Sequence, residues 1–130
     1  QNAQALALYQ RVLAISEKTW GLEHADTIQA LNNLAEFYDL QGNASQAIAL
    51  YQRVLAALEK TLGMDHPDSA QILNNLANLY SEQGDKNQAL FLYQKAAAIL
   101  RKKLGEQHPT TQAVENNFQQ LQAYLSNGKQ

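Results

Sequence analysis

The sequence contains no cysteine among its 130 residues and only two prolines. The absence of cysteine excludes disulfide bonds and zinc sites built from thiolates, and it is consistent with a reducing, cytoplasmic location, which we expect for this protein. No apolar stretch approaches the roughly 18 residues that a membrane-spanning helix needs. The N-terminus carries no basic segment ahead of an apolar one, so we expect neither a signal peptide nor contact with a membrane.

The chain also has no large excess of charge of one sign. The formal net charge is −2, and the ten lysines and arginines are scattered along the chain. A surface that binds phosphates needs a basic patch, so we do not expect nucleic acid as a partner. The glycines punctuate turns and form no phosphate-binding loop, and we expect no cofactor.

The dominant feature of the sequence is a repeat with a period of 42 residues. Gly21, Gly63 and Gly105 differ by this step, and so do the histidines that follow each of them. The segment Leu73–Tyr80, with the sequence Leu-Asn-Asn-Leu-Ala-Asn-Leu-Tyr, matches residues 31–38 and more faintly residues 115–118. A period of this size indicates a repeat architecture.

Each 42-residue unit contains two amphipathic helical patterns separated by glycine-containing turns. The predicted helices span residues 3–20, 25–41, 44–62, 67–83, 86–104 and 109–126. Short turns make neighbouring helices antiparallel, and no single pair can bury both of its faces, so the pairs must stack. The predicted fold is therefore all-α, an α-α superhelix or solenoid of about six helices over residues 1–130. Because the chain begins with Gln1, we expect it to be a fragment of a longer repeat protein.

Packing of this kind predicts a core from the apolar face of each helix. We expect Leu31, Leu34, Ala35 and Tyr38 to point inward. The periodic tyrosines are also predicted to be core residues, and Trp20 is predicted to pack as its counterparts do: Tyr9, Tyr51 and Tyr93; Leu62 and Leu104.

The residues at these positions resemble a known family. The pattern Leu34-Ala35…Tyr38…Gly42…Ala47…Tyr51…Val54 resembles the tetratricopeptide repeat (TPR), whose unit is usually about 34 residues. The longer unit, with Leu-Asn-Asn-Leu-Ala, Tyr-Gln-Arg-Val-Leu, Glu-Lys-Thr-Leu-Gly and His-Pro-Asp-Ser, resembles the kinesin light chain type of repeat. The last helix departs from the pattern, because Gln119 and Gln122 replace an alanine and a tyrosine, which is typical of a capping helix.

The resemblance implies a protein–protein interaction scaffold that binds an extended peptide or partner segment in a concave groove. In this family the asparagines of the Asn-Asn pair contribute to peptide binding. The candidate peptide-binding residues are Asn33, Asn75 and Asn117 first, then Asn32, Asn74, Asn116, Asn78, Glu36 and Gln71. An asparagine has two donors and an acceptor, which suits pairing with a peptide backbone. The alternative role for these amides is to hydrogen-bond the neighbouring repeat and hold the stack in register.

The residues expected in the groove indicate the charge of the peptide ligand but not its sequence. Kinesin light chain repeats that take acidic peptides have an arginine at positions that here carry Ser16, Leu58 and Leu100. Glu36 and Glu82 make the groove acidic, so we expect an apolar or mildly basic peptide. The alternative function is self-association, in which the uncovered first helix forms a homo-oligomer.

Metal binding and catalysis are not expected. His24, His66 and His108 lie one repeat apart, and equivalent loops of stacked repeats are too far apart to share an ion, so we expect each histidine to help start a helix. No nucleophile lies beside a base in the sequence, and we expect no enzymatic activity.

Overall fold

The computed structural model describes residues 2–128, which contain six α-helices and no strand. The helices are α1 (Asn2–Trp20), α2 (Ala25–Leu40), α3 (Ala44–Thr61), α4 (Pro67–Glu82), α5 (Lys86–Leu104) and α6 (Pro109–Gly128). They form two compact units, Gln1–Leu62 with α1 to α3 (unit 1) and Gly63–Gln130 with α4 to α6 (unit 2). The all-α prediction is confirmed, and the observed helix ends either coincide with the expected ones or differ from them by one or two residues.

In unit 1 the central helix α2 packs against both α1 and α3. Its face toward the interior is the predicted one, because Leu31, Leu34, Ala35 and Tyr38 are all buried. These residues recur at intervals of three and four, so one side of the helix carries the whole apolar stripe.

In unit 2 the central helix is α5, which packs against α4 and α6. Alanines are completely buried on both α4 and α5, including Ala77 and Ala89 at 0% exposure. Side chains this small let two helix backbones approach closely, and the larger Leu73 and Leu76 fill the space beside them.

The three periodic histidines start helices, as the sequence predicts. The Nδ1 atom of His66 accepts a hydrogen bond of 3.0 Å from the backbone N–H of Asp68. His24 and His108 make the same contact, at 3.0 Å to Asp26 and 3.1 Å to Thr110. Each histidine therefore satisfies one of the backbone donors that a helix N-terminus leaves without an intrahelical partner.

Replacing His66 with alanine is expected to lower the free energy of unfolding by about 1 kcal/mol, because the first turn of α4 loses its side-chain acceptor. Urea denaturation measures the difference. His66→Asn, which keeps an acceptor at the cap, is the matched control and should lose less. Equal losses in the two variants would show that the cap bond does not stabilise α4.

Glycine is required where the helices end. Gly105 has φ 94° and ψ 156°, a backbone conformation that is essentially restricted to glycine. Gly21, predicted to end α1 in a left-handed conformation, has a φ of 91°.

The prediction that Tyr9 belongs to the core is wrong. Tyr9 is 36% exposed, although Tyr51 and Tyr93 at the same repeat position are 1% and 5% exposed. α1 packs on α2, and no helix in the described part of the chain covers its other side; Tyr9 lies against the ring of Phe37 on α2. Trp20 is also exposed, like Leu62 and Leu104, and stacks on the ring of His24 with 4.7 Å between centroids.

Candidate functional site

A polar stripe runs along the side of α4 that points away from the core of unit 2. Gln71, Asn75, Asn78 and Glu82 follow one another at intervals of four, three and four residues, so they lie on one face of the helix. Asn75 is half-buried and the other three are exposed. In unit 1, α2 carries Gln29, Asn33, Glu36 and Leu40 at the same repeat positions.

The second asparagine of the pair is oriented by a glutamine one turn earlier. Gln71 Nε2 donates a 3.2 Å hydrogen bond to Asn75 Oδ1, and Gln29 Nε2 donates a 2.9 Å bond to Asn33 Oδ1. Each bond uses one of several hydrogen-bonding positions of the asparagine amide. The bond holds the oxygen of the amide and leaves its N–H donors unused by this contact.

Within unit 2, the side-chain amide of Asn117 on α6 contacts that of Asn74 on α4. Asn117 Nδ2 donates a 3.3 Å hydrogen bond to Asn74 Oδ1. The bond joins α6 to α4 through two residues that lie 43 positions apart in the sequence. α6 packs on α5, and this bond links it to α4 as well, which is what a register role for these two residues requires. We name the polar surface of the two helices the α4–α6 face; its residues are the exposed Gln71, Asn78 and Gln120 and the half-buried Asn75 and Asn117.

Asn78 has a second contact that the sequence analysis missed. Its Oδ1 accepts a hydrogen bond from the hydroxyl of Tyr93 on α5. Burial raises the pKa of the Tyr93 hydroxyl above its ordinary value of 10.0, and the negative charge of Glu82 raises it further. The contact ties the α4–α6 face to the helix behind it.

Tyr93 is expected to make stability depend on pH in the alkaline range. Because its pKa is higher in the folded state, its contribution is fully present below about pH 10 and is lost as the pH rises through the folded value. Tyr93→Phe should cost about 1 kcal/mol at pH 8 through loss of the bond to Asn78. Urea denaturation between pH 8 and pH 11 should show the gap between the two proteins shrinking above pH 10. Parallel profiles would contradict this role of Tyr93.

The remaining predicted binding residues differ in burial and in the unit to which they belong. Asn32 is half-buried, and its Oδ1 is buried without a hydrogen-bond partner among the described residues. Asn116, at the same repeat position on α6, is exposed, and Glu36 is exposed on α2. Unit 2 therefore brings together Asn74, Asn75, Asn117 and Gln71, whereas Asn32, Asn33 and Glu36 belong to the α2 surface of unit 1.

Glu82 near the end of α4 and Lys86 at the start of α5 are two charged residues close to the α4–α6 face. Lys86 Nζ donates to the backbone oxygen and the hydroxyl of Ser81, both at 3.2 Å, and lies 5.1 Å from the ring centroid of the exposed Tyr124. Sequence reasoning missed this group, because the cation–aromatic contact links helices whose relative rotation the sequence does not specify. Lys86 is thus held against its own unit, while Glu82 makes no ion pair among the described contacts.

Unit 1 has a cleft of about 350 Å³ among its three helices. Leu13, Leu34 and Leu50 are among its lining residues. Glu17 is paired with Arg53 there, and Gln10 donates to the Tyr38 hydroxyl at 3.4 Å. No predicted binding residue lines this cleft.

Across residues 2–128, no helix has both the length and the apolar character needed to cross a bilayer. The same residues contain no cluster of three or more histidine, aspartate or glutamate side chains arranged to hold a metal ion.

The family of the chain follows from its sequence matches. A model of the tetratricopeptide repeat matches residues 1–60 and again residues 26–102. The chain belongs to the tetratricopeptide repeat family. A comparison with curated protein sequences returns no match.

Solved structures with a similar fold show which type of TPR the chain resembles. Nearly identical TPR-like repeats assigned to a kinesin light chain of Podosopora anserina have a TM-score of 0.84 and 30% sequence identity, and the match covers 98% of this chain and 60% of that one. BtubC (BKLC) from P. vanneervenii has a TM-score of 0.75 at 22% identity over 98% of this chain and 55% of that one, which shows the fold alone. The TPR chain is of the kinesin light chain type, as predicted, and it spans about 60% of the first of these structures. Its fold is the helical solenoid of protein–protein interaction scaffolds, which are generally not enzymes.

Proposed function

We propose that the TPR chain binds an extended peptide segment of a partner protein on the α4–α6 face. The observation that carries the proposal is the ordered amide pair Gln71–Asn75, at 3.2 Å, on an exposed side of a helix whose other side is buried. Amides held in place before binding lose little side-chain freedom when a ligand arrives. An extended peptide offers alternating N–H and C=O groups, which amide side chains can both accept from and donate to.

The proposed roles differ along the stripe. Asn75 and Gln71 of α4 and the exposed Gln120 of α6 are the ligand-binding amides, while Asn74 and Asn117 mainly position α6 through their 3.3 Å bond. Asn33 and Gln29 have the same role on α2, where they form the same pair at 2.9 Å. Asn78 contributes less to ligand binding, because its oxygen holds the hydroxyl of Tyr93.

The ligand is an apolar or mildly basic peptide. Glu82 on α4 and Glu36 on α2 are exposed, whereas Lys86 donates to Ser81 and lies over Tyr124. An acidic peptide on the α4–α6 face would bring its charge near the like charge of Glu82, and a peptide with one lysine or arginine would not.

An array of immobilised peptides probed with the purified TPR chain tests the function. The array contains matched sets in which one backbone sequence carries lysine, glutamine or glutamate at a single position. We expect retention on lysine and glutamine peptides, and weaker retention on the glutamate versions. Uniform absence of retention, or a preference for glutamate, would contradict the proposal.

Self-association through α1 is the second candidate function, and the exposed side of that helix is the observation that favours it. Light scattering across a concentration range measures it directly. A dimer that retains no peptide would favour this candidate, and a concentration-independent monomer that retains peptides would exclude it.

A further inference from the structure

The lysines and arginines are scattered along the sequence, but they lie on only three of the six helices. The chain has ten of them, and Lys129 lies outside the described residues. The other nine all belong to α1, α3 and α5, and none lies on α2, α4 or α6 as described. Those last three helices carry six acidic residues instead. Positive charge is therefore segregated by helix, although the formal net charge of the chain is −2.

Two of these basic positions keep the 42-residue step. Lys95 and Lys102 of α5 have the repeat positions of Arg53 and Lys60 of α3, and α1 is basic at both positions as well. A lysine in the last turn stabilises the negative end of the helix dipole, which accounts for Lys60 and Lys102. Lys95 lies in the middle of α5, beyond the reach of that effect. The helix dipole therefore does not explain the mid-helix charge.

One side of α5 remains uncovered by α4 and α6. Phe91, Lys95, Ala98 and Lys102 are all exposed, Phe91 at 54%, and their spacing of four, three and four residues places them on one side of the helix. The ammonium of Lys95 lies 5.6 Å from the centroid of the Phe91 ring. We name this surface, formed by these four residues, the α5 stripe.

Neither lysine of the α5 stripe is held in a close ion pair. Lys102 Nζ lies 3.8 Å from Asp65 Oδ2, and the two side chains are 71% and 68% exposed, so water screens the pair and another carboxylate can compete. Lys95 makes no ion pair among the described contacts. Arg101 differs from both, because its Nε and Nη2 atoms donate to Glu115. Lys95 and Lys102 therefore keep positive charge that an acidic partner can use.

We propose that the α5 stripe binds an acidic helical segment of a partner protein, in which two glutamates seven residues apart flank a leucine. Lys95 and Lys102 are also seven residues apart, which separates them by about 10 Å along the helix axis. The small side chain of Ala98 between them leaves room for the leucine, and the ring of Phe91 offers a further apolar contact beyond Lys95. Charge complementarity of this kind selects the partner and sets its register.

An extended polyanion fits the α5 stripe less well than a short segment does. Asp85 lies directly before α5, and Glu106 follows its last residue by two positions. A nucleic acid or an anionic membrane that extends past the stripe would meet these negative charges at both ends, whereas a segment of two helical turns ends between them. The stripe and the α4–α6 face differ in helix surface and in charge, so this inference does not rest on the proposed function.

Fluorescence anisotropy of a labelled, alanine-rich peptide that contains Glu-x-x-Leu-x-x-x-Glu measures its binding to the purified TPR chain. The control peptide has glutamine in place of both glutamates. The double variant Lys95→Gln with Lys102→Gln removes the charge of the stripe, and the matched variant Lys18→Gln with Lys103→Gln removes two exposed lysines outside it. All four side chains are exposed, so both variants should melt close to the temperature of the parent chain.

We expect the parent chain to bind the glutamate peptide at least about tenfold more tightly than the glutamine peptide. The stripe variant should lose at least about tenfold in affinity, since two charge-assisted contacts are removed, and the matched variant less than about threefold. Equal losses in the two variants, or no preference for the glutamate peptide, would overturn the proposal. Tighter binding of a DNA oligonucleotide or of phosphatidylserine vesicles than of the peptide would overturn it in favour of a polyanion. A dimer of the parent chain that Lys95→Gln with Lys102→Gln converts to a monomer would also overturn it, because a second copy would then be the occupant.

Discussion

Replacing Leu76 with alanine is expected to lower the free energy of unfolding by about 2–5 kcal/mol. Leu76 is 2% exposed on the inward side of α4, next to the equally buried Leu73 and Ala77. The substitution removes three buried carbon atoms and leaves a cavity that rigid neighbouring helices can close only in part. Denaturation by urea or heat measures the loss, and Leu34→Ala in unit 1, where Leu34 is 4% exposed, should behave in the same way.

Leu40→Ala is the matched control for this prediction. Leu40 is 85% exposed on α2, so the same substitution removes almost no buried surface and should change stability by less than about 0.5 kcal/mol. A loss below 1 kcal/mol for Leu76→Ala, or an equal loss for Leu40→Ala, would show that the repeat leucines do not form the core.

Replacing Ala77 with glutamine is expected to destabilise the chain by about 2–4 kcal/mol, the combined cost of overpacking and of burying an amide without a partner. Ala77 is 0% exposed, and the close approach of α4 and α5 leaves no room for a longer side chain. Glutamine is the residue that the repeat itself places at the equivalent position of α6, Gln119, which is exposed.

Gln119→Ala is the reciprocal control and should change the free energy of unfolding by less than about 0.5 kcal/mol. Thermal or urea denaturation of the two single variants compares the same pair of residues at equivalent positions, one buried and one exposed. Similar effects at both sites would contradict the view that α6 presents a polar, uncovered side.

Much of the fold follows from the sequence because two independent patterns agree. The 42-residue step sets the number of helix pairs, and within each pair the spacing of Leu31, Leu34, Ala35 and Tyr38 predicts which side is buried. The histidines before α2 and α4 are also predictable, since a residue just ahead of a helix most often satisfies its first backbone donors.

The exposure of Tyr9 could not be predicted from the sequence. A repeat position predicts burial only if the surroundings repeat as well, and α1 lacks the covering helix that α3 and α5 have among the described residues. The sequence contains the same tyrosine in all three helices, so nothing local distinguishes the exposed one.

The candidate site is less predictable than the core. The i, i+4 spacing of Gln71 and Asn75 allows their bond, but the sequence cannot show that Asn117 donates to Asn74 or that Asn78 receives the Tyr93 hydroxyl. Those bonds depend on the rotation of one helix about its axis relative to another. The sequence therefore leaves both expected roles of the asparagines open, ligand binding and register, and the bond between Asn117 and Asn74 is the observation behind the register role that we propose for these two residues.

The most direct test of the proposed binding face is the double variant Gln71→Ala with Asn75→Ala, compared with Asn74→Ala. We expect the double variant to lose at least about tenfold in affinity for a peptide retained by the parent chain, since two or more hydrogen bonds are removed, while its melting temperature barely changes. For Asn74→Ala we expect a lower melting temperature and a smaller effect on affinity. Unchanged affinity in the double variant, or a large fall in its melting temperature, would contradict the assignment of these amides to the ligand.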